Sequence, residues 1–480
     1  MKIATLSLSL LACLFAFSTY TFADNFTVNQ SGDAGDLTCD ATCTLRDAVD
    51  DANNLASDDA ITFAAGITNI VLTNEIVISN NGALTINGPG ANVLTIDGGP
   101  GTNRIFDTSF ATVTIIGLTL TGGNGTGAVF SGTQGGAILV QGGTFVMNGV
   151  HVTGNATASN GGGGGVYFSA GTNHEILNST FSANTAFSCG GFYNLSGTLT
   201  VTNTTVSGNS ATGGFGVGGG LCNSDGNGST TLRSVTVTGN SASFNGGGIH
   251  FSGGTLHLGN TIVARNTGGG NPDINFGAGT ITSAGYNLIG NNSNVATAFP
   301  AGNPNANQDI VGEAGNPTFP PVDPLLFPLG NYGGPTPTHA VSAGSPAVDK
   351  GKSFGLMTDQ RNLLRPVDLA GFSNNPTGDA ADIGAFEAQL APTAAGVSIT
   401  GRVATASGQG ISKARVTLTD REGNARSALT NPFGYFVFED VEAGETLVLS
   451  VRSKRYRFAE PERVINLFDA VDDADFTALP

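Results

Sequence analysis

Gly135-Gly136-Ala137, Gly164-Gly165-Val166, Gly190-Gly191-Phe192, Gly219-Gly220-Leu221 and Gly247-Gly248-Ile249 repeat one short phrase between Thr112 and Asp273, a glycine pair followed by an apolar residue. The second glycines stand at 136, 165, 191, 220 and 248, so the steps are 29, 26, 29 and 28 residues. Asparagines keep the same rhythm at Asn155, Asn184, Asn209, Asn240 and Asn266. Self-similarity at a period of about 28 residues marks stacked units, each burying its apolar side against the next.

Aligning the units on their asparagines separates two further columns. Three residues before each lies Val152, Phe181, Val206, Val237 or Val263, an apolar set expected to point inward. Two before lies Thr153, Ser182, Ser207, Thr238 or Ala264, mostly small hydroxyl residues. The asparagines are predicted to form a ladder, each side-chain amide bonding to the coils above and below. Short strands broken by turns at this period fit three strands per turn of a parallel β-helix. Parallel crossovers are right-handed, so the coil is predicted to be right-handed, rising about 4.8 Å per turn. A leucine-rich repeat fails because neither leucines nor a helix recur in each unit. A β-propeller fails because its blades run to roughly 40 residues.

Composition narrows the function classes. Among 480 residues there are 72 glycines, only 11% charged residues and a net charge of −17. No Gly-X-Y triplet is sustained, which excludes collagen. The apolar residues are plentiful and regularly placed, which excludes disorder. A strongly acidic chain without a basic face argues against nucleic acid or an anionic membrane surface as partner. Between Thr112 and Pro272 only Glu175, Asp225, Arg233 and Arg265 are charged.

Residues 1–23 read as a secretory signal peptide. Lys2 precedes a long apolar run, and Thr21-Phe22-Ala23 offers small residues at the cleavage positions before Asp24. A lipid-anchored start at Cys13 fits less well, because the apolar run continues beyond it. No later stretch is long and apolar enough to cross a membrane. Export with four remaining cysteines, Cys39, Cys43, Cys189 and Cys222, suggests disulfides. Zinc at Cys39 and Cys43 lacks a second ligand pair.

Residues 24–59 are expected to form an N-terminal cap. Leu45, Ala48, Val49 and Ala52 fall on one helical face, and Thr44 with Asp47 makes a capping box. This helix is expected to cover the first open coil, whose strand edges would otherwise stay unpaired. The solenoid is predicted over 60–286 and a loop-rich closing region over 287–390. A linker at 391–396 leads to alternating strands over 397–480, an immunoglobulin- or transthyretin-like β-sandwich.

Three segments resemble known families. Cys43-Thr44-Leu45-Arg46-Asp47-Ala48 is similar to the Cys-Ser-Leu-Arg-Glu-Ala (CSLREA) motif that opens many exported bacterial β-helix proteins, departing from it at Thr44 and Asp47. Residues 287–387 resemble the choice-of-anchor Q region. The landmarks are Asn287-Leu288-Ile289-Gly290, Asp323-Pro324-Leu325-Leu326, Gly333-Gly334-Pro335-Thr336 with Thr338-His339, Gly344-Ser345-Pro346-Ala347, and Asp382-Ile383-Gly384-Ala385-Phe386-Glu387. The tail resembles the carboxypeptidase regulatory-like domain through Ile399-Thr400-Gly401-Arg402-Val403 and Asn431-Pro432-Phe433-Gly434-Tyr435-Phe436. These resemblances imply export and fold. The regulatory-like domain is an accessory sandwich and carries no peptidase zinc site.

Candidate sites can be weighed by their chemistry. A glycosidase needs two carboxylates roughly 5–10 Å apart, hence acids on adjacent coils in one column. Glu175 and Asp225 sit at different offsets, so no catalytic residue is assigned in the central coils. His339, Asp349, Asp359, Arg361, Asp379, Asp382 and Glu387 form a richer set, read as pairing with one another and with turn amides to close the helix. Two residues after each reference glycine lie Ile138, Tyr167, Tyr193, Cys222 and His250, an outward column. Tyr167, Tyr193 and His250 are the candidate ligand-facing residues, though tyrosines packed under a loop are the plainer expectation. Cys39–Cys43 is the expected disulfide. Cys189 and Cys222 are offset by four positions, about 13 Å on a straight strand, so their pairing would need a sharp bend at the glycines. Neither metal nor cofactor is assigned. Calcium in Asp33–Asp40 or Asp469–Asp475 is a weak alternative to solvated loops.

The sequence thus predicts an all-β, secreted or cell-surface, non-catalytic protein, adhesin-like or carbohydrate-binding, with a polysaccharide or cell-surface glycan as partner. The alternatives are a polysaccharide lyase or glycoside hydrolase on the same scaffold, and a structural stalk presenting the sandwich.

Overall fold

The computed structural model describes residues 24–480 apart from 80–81, 101–102, 127–132, 158–159, 225–227, 390–396, 421–423, 442–444, 468–469 and 480. The expected signal peptide, the linker at 391–396, Asp225 and Asp469 therefore lie outside the described residues. The described residues divide into two compact units, the second taking Leu369–Gly371 as well as the chain from Ala388 onward.

The first unit is a parallel β-solenoid of about eight turns. One parallel sheet stacks eight strands from Ile76–Ile78 to Ile274–Phe276, one per coil. A larger parallel sheet holds the other two strands of each coil, and a short three-stranded sheet pairs Thr185–Ala186, Ser210–Ala211 and Ser241–Ala242. The predicted inward column is fully buried at Val152, Phe181, Val206, Val237 and Val263, in register from coil to coil. The hydroxyl column runs Thr153, Ser182, Ser207, Thr238 and Ala264, each paired with the next.

Left-handed backbone makes the corners. Thr198–Ser207 and Ser229–Thr238 each run through a corner, bent by Asn203 (φ 46°) and Ser234 (φ 52°). The corner before the glycine pairs has positive φ at Gly135, Gly163, Gly218 and Gly246, and Cys189 (φ 61°) takes the same place in its coil. Glycine suits such a site because a Cβ costs energy there.

The N-terminal helix forms as expected. Helix α1 (Leu45–Asn54) carries the complete Thr44/Asp47 capping box and buries Leu45, Ala48, Val49 and Ala52. Arg46 fixes it to the first coil by an ion pair with Asp33 and bonds to the carbonyls of Asn74 and Glu75. Burial tends to raise the Asp47 pKa, but donors from Thr44 and Leu37 outweigh it and hold the carboxyl below its ordinary value.

The closing region does two jobs. Val295, Phe299 and Val311 join the solenoid core at its last coil, whereas Thr336, His339, Arg365, Asp382 and Ala385 bond to the coils along one flank. There Gln360 donates to Thr180 and Thr336 and accepts from Thr205, and Thr236 accepts from the Ala385 N–H. The expected closure is thus partly a cover over the outer face of the Thr180/Thr205/Thr236 column, a contact no local pattern announces.

The second unit is sandwich-like. A three-stranded sheet (Tyr435–Val441, Val397–Ala404, Phe476–Thr477) and an antiparallel four-stranded sheet (Ala425–Leu429, Arg415–Thr419, Glu445–Arg452, Glu462–Leu467) enclose a core that includes Ile399, Val416, Phe436 and Leu449.

Candidate functional site

The asparagine ladder is continuous. Each side-chain Nδ2 from Asn155 to Asn240 donates to the next asparagine's Oδ1 at 2.9–3.0 Å. The same Nδ2 also bonds to a backbone carbonyl of the preceding coil, from Leu120 at Asn155 to Val237 at Asn266. All donors point one way, so the last coil must supply an acceptor. Asp273 does so, with Oδ1 taking both the Asn266 amide and its Nδ2 and Oδ2 taking the Asn291 N–H. Burial outweighs these donors and raises the Asp273 pKa to about 6. A second ladder ends alike: Thr261 N–H donates to Asn287 Oδ1, and Asn287 donates to Asp309, whose pKa burial also raises.

The outward column holds the candidate aromatic residues, with one correction to its start. Ile138 pairs with Val166 in the inward column and is fully buried, whereas Leu139 pairs with Tyr167. The reference glycine of that coil is displaced by one position, because Ala137 stands where the next coil has Gly165. The outward order is Asp107, Leu139, Tyr167, Tyr193, Cys222, His250, so Cys222 separates His250 from the tyrosines. Tyr167 and Tyr193 are half-buried and meet edge to face, centroids 5.0 Å apart at 79°, rather than forming a flat stack. Tyr193 Oη is 2.7 Å from Ser224 Oγ, and His250 Nδ1 is 2.9 Å from Asn275 Nδ2. Burial lowers the His250 pKa, favouring the neutral imidazole.

Both disulfides form. Cys39–Cys43 has a Cα–Cα distance of 4.3 Å, as expected, and Cys189–Cys222 closes at 5.3 Å. The straight-strand offset that spoke against the second pair is removed by the corner. At the equivalent Gly218 a Cβ would lie 2.3 Å from Cys222 Sγ, so positions four apart become neighbours across the bend. Cys189 stacks on that corner through its N–H to the Val217 carbonyl.

The C-terminal acids come together, and donors surround them. Arg365 and Glu387 form an ion pair at 2.8 Å with both side chains fully buried. Glu387 also accepts the Asp382 and Val367 N–H groups, while Asp382 accepts that of Asp349. Asp359 binds Arg361 at 2.8 Å and the Glu387 N–H. His339 stands apart. Its Nδ1 faces the Phe327 carbonyl at 2.7 Å, which can only accept, so Nε2 receives the Ser207 hydroxyl at 2.8 Å. His151 Nε2 also lies 2.8 Å from Ser182 Oγ, but there the hydroxyl donates to Thr153 and accepts from the imidazole, so a serine–imidazole contact recurs along the hydroxyl column with the roles reversed. His339 lines a cleft of about 270 Å³ with Thr238, Gly239, Arg265, Leu326, Phe327 and Pro328.

A cluster unforeseen from the sequence lies near the start of the stack. Arg104, fully buried, pairs with Glu75 and with Asp107 at 3.6 Å, and Gln141 donates to Asp107 at 2.7 Å. Burial raises the Asp107 pKa, against Gln141 and Arg104. The 32-residue step from Asp107 to its neighbour Leu139 was the available signal. The aspartates of 33–40 are engaged: Asp33 by Arg46 and the distant Thr73, Asp36 by Thr38, Asp40 by Thr42. Among the described residues no group of three His, Cys, Asp or Glu side chains could hold a metal ion, and no helix is long and apolar enough to cross a membrane.

Comparison with known proteins bears on the second unit. Residues 398–477 match the carboxypeptidase regulatory-like domain, in agreement with the sandwich seen there. No curated protein and no solved structure matches the chain. The class defined by fold and domain is a parallel β-solenoid followed by a regulatory-like sandwich.

Proposed function

We propose that the solenoid is a non-catalytic glycan-binding element of a secreted or cell-surface, adhesin-like protein. The observation that carries this is the partly exposed Tyr167–Tyr193 pair on adjacent coils, with Ser224 bonded to Tyr193 and His250 two coils further along the same column, in coils whose sequence holds very few charges. Aromatic rings beside hydroxyl and amide groups suit sugars, which offer one apolar face and a hydroxyl edge. The acids near the flank, Asp359, Asp382 and Glu387, are occupied by buried structural donors, which supports binding over turnover. The resemblance of Cys43–Ala48 to the motif of exported β-helix proteins, and of 287–387 to the choice-of-anchor region, supports export.

The test incubates the full-length protein with pectin, alginate, cellulose and animal glycans, and measures retention together with new reducing or unsaturated ends. Retention without new ends, weakened about tenfold by Tyr167→Ala or Tyr193→Ala, is expected. New ends abolished by Asp359→Asn would establish an enzyme instead. Absence of retention would leave the stalk, which the continuous ladders and two disulfides favour mechanically.

A further inference from the structure

Three successive coils each carry one phenylalanine between the short three-stranded sheet and the glycine corner: Phe187, Phe215 and Phe244. The other phenylalanines of these coils, Phe181, Phe192 and Phe251, are fully buried. Phe215 by contrast is 77% exposed and Phe244 47%, with ring centroids 5.9 Å apart at 79°. Leaving a phenylalanine in water forgoes roughly 1.5–3 kcal/mol of burial. Two such rings side by side therefore call for an account beyond packing.

Their frame is fixed. Gly213 N–H donates to the Phe187 carbonyl at 3.0 Å, and Phe244 N–H to the Gly216 carbonyl at 2.9 Å. Ser243 Oγ joins the two loops by accepting from Gly216 N–H at 3.1 Å and donating to the Gly213 carbonyl. The half-buried Phe187 ring lies beside Gly213, where a Cβ would come within 2.5 Å of it. Two residues further on, the Cys189–Cys222 disulfide staples this corner to the next coil. Segments 185–188, 210–217 and 241–246 contain no charged residue.

We infer that this rim is an aromatic platform for a neutral, extended polysaccharide, distinct from the tyrosine column; the inference rests on the glycan-binding reading above. Pyranose rings stack their apolar faces on exposed aromatics, while serine, threonine, asparagine and main-chain groups beside the rings meet their hydroxyls. Rings on neighbouring coils repeat along the axis at about 4.8 Å, near the length of one sugar in an extended chain. A uronate polymer, a nucleic acid or an anionic membrane would find no fixed charge there to pair with. A stable protein interface buries about 800 Å² per partner, whereas two phenylalanines offer roughly 300–500 Å² at most.

The test uses the full chain in affinity electrophoresis with hydroxyethylcellulose, xylan and galactomannan against polygalacturonate and alginate. The variant is Phe215→Ser/Phe244→Ser, whose fold is checked by an unchanged melting temperature. Tighter retention by a neutral polymer, falling about tenfold or more in the variant, is expected of two aromatic anchors. Neutral-polymer binding that the variant leaves intact overturns this platform but keeps the glycan-binding reading. Preference for the uronate polymers overturns it as well. A wild-type dimer dissolved by the variant assigns the rim to a second copy and overturns it. Retention on none of the polymers overturns both readings.

Discussion

At the scale of the residue, Asp273 explains how a one-way ladder ends. Every asparagine donates onward, and an Asn in the last place would bring two more donors to a site where Asn266 and Asn291 already donate. A carboxylate accepts only, so it closes the run and also takes the Asn291 N–H. In Asp273→Asn, whichever way the amide turns, its NH₂ faces a donor, either Asn266 or Asn291. We expect a loss of about 1–3 kcal/mol in denaturant unfolding at neutral pH. The same residue gives a pH signature. Unfolded aspartate releases its proton at about 3.9, the folded form holds it up to about 6, so the folded state binds more protons in between. Asp273 therefore makes stability fall as pH rises from about 4 to 6. A set of urea titrations across that window should show a shallower fall in the variant, and an unchanged slope would contradict the assignment.

At the scale of the element, the corner decides what a strand pattern leaves open. Alternation along a strand says which side chains share a face. It does not say that Cys189 adopts the left-handed backbone its sister coils give to glycine, nor that the bend sets it against Cys222. At a sequence separation of 33, the chain-entropy account gives this disulfide about 3–4 kcal/mol. Cys189→Ser/Cys222→Ser should lower the solenoid's unfolding free energy by that order, and dithiothreitol should reproduce most of the loss in the parent protein. A reduced protein as stable as the oxidised one would show that the coils hold the corner without the bridge. The short Cys39–Cys43 loop should matter less to global stability, since it encloses few residues.

At the scale of the whole molecule, the solenoid is covered at its first coil, at its last and along one flank. The covers answer the same physical need, since open coils leave strand edges and apolar faces unpaired. Helix α1 meets it at the start through Arg46, and residues 292–311 meet it at the far end. The flank is held by buried charge: Arg365 reaches Glu387, the Gly384 and Phe386 carbonyls and Asn203 of the stack. Glu387→Gln leaves the Arg365 guanidinium buried beside a neutral amide. A destabilisation of about 3–5 kcal/mol is expected, with early protease cleavage within 324–387 as the local readout. A variant cleaved no faster than the parent would mean the flank segment is held by its hydroxyl contacts alone.

Periodicity by itself determined most of the solenoid. The 28-residue phrase, the buried valines and the asparagine ladder follow from repetition, because a side chain in one coil must satisfy the same contacts as its counterpart in the next. The capping box at Thr44 and Asp47 was equally legible, being a bond between residues three apart. What tertiary structure alone decided lies where the repeat is broken or where distant segments meet. Ile138 changed columns because Ala137 takes a glycine's place, and Arg104 became the centre of a buried cluster through partners about thirty residues away. His339 found Ser207, and Cys189 found Cys222, because folding brought side chains together that no local spacing relates. The exposed rings of Phe215 and Phe244 belong to the same group: a sequence shows a phenylalanine, but only the packed coil shows whether it faces the core or the solvent.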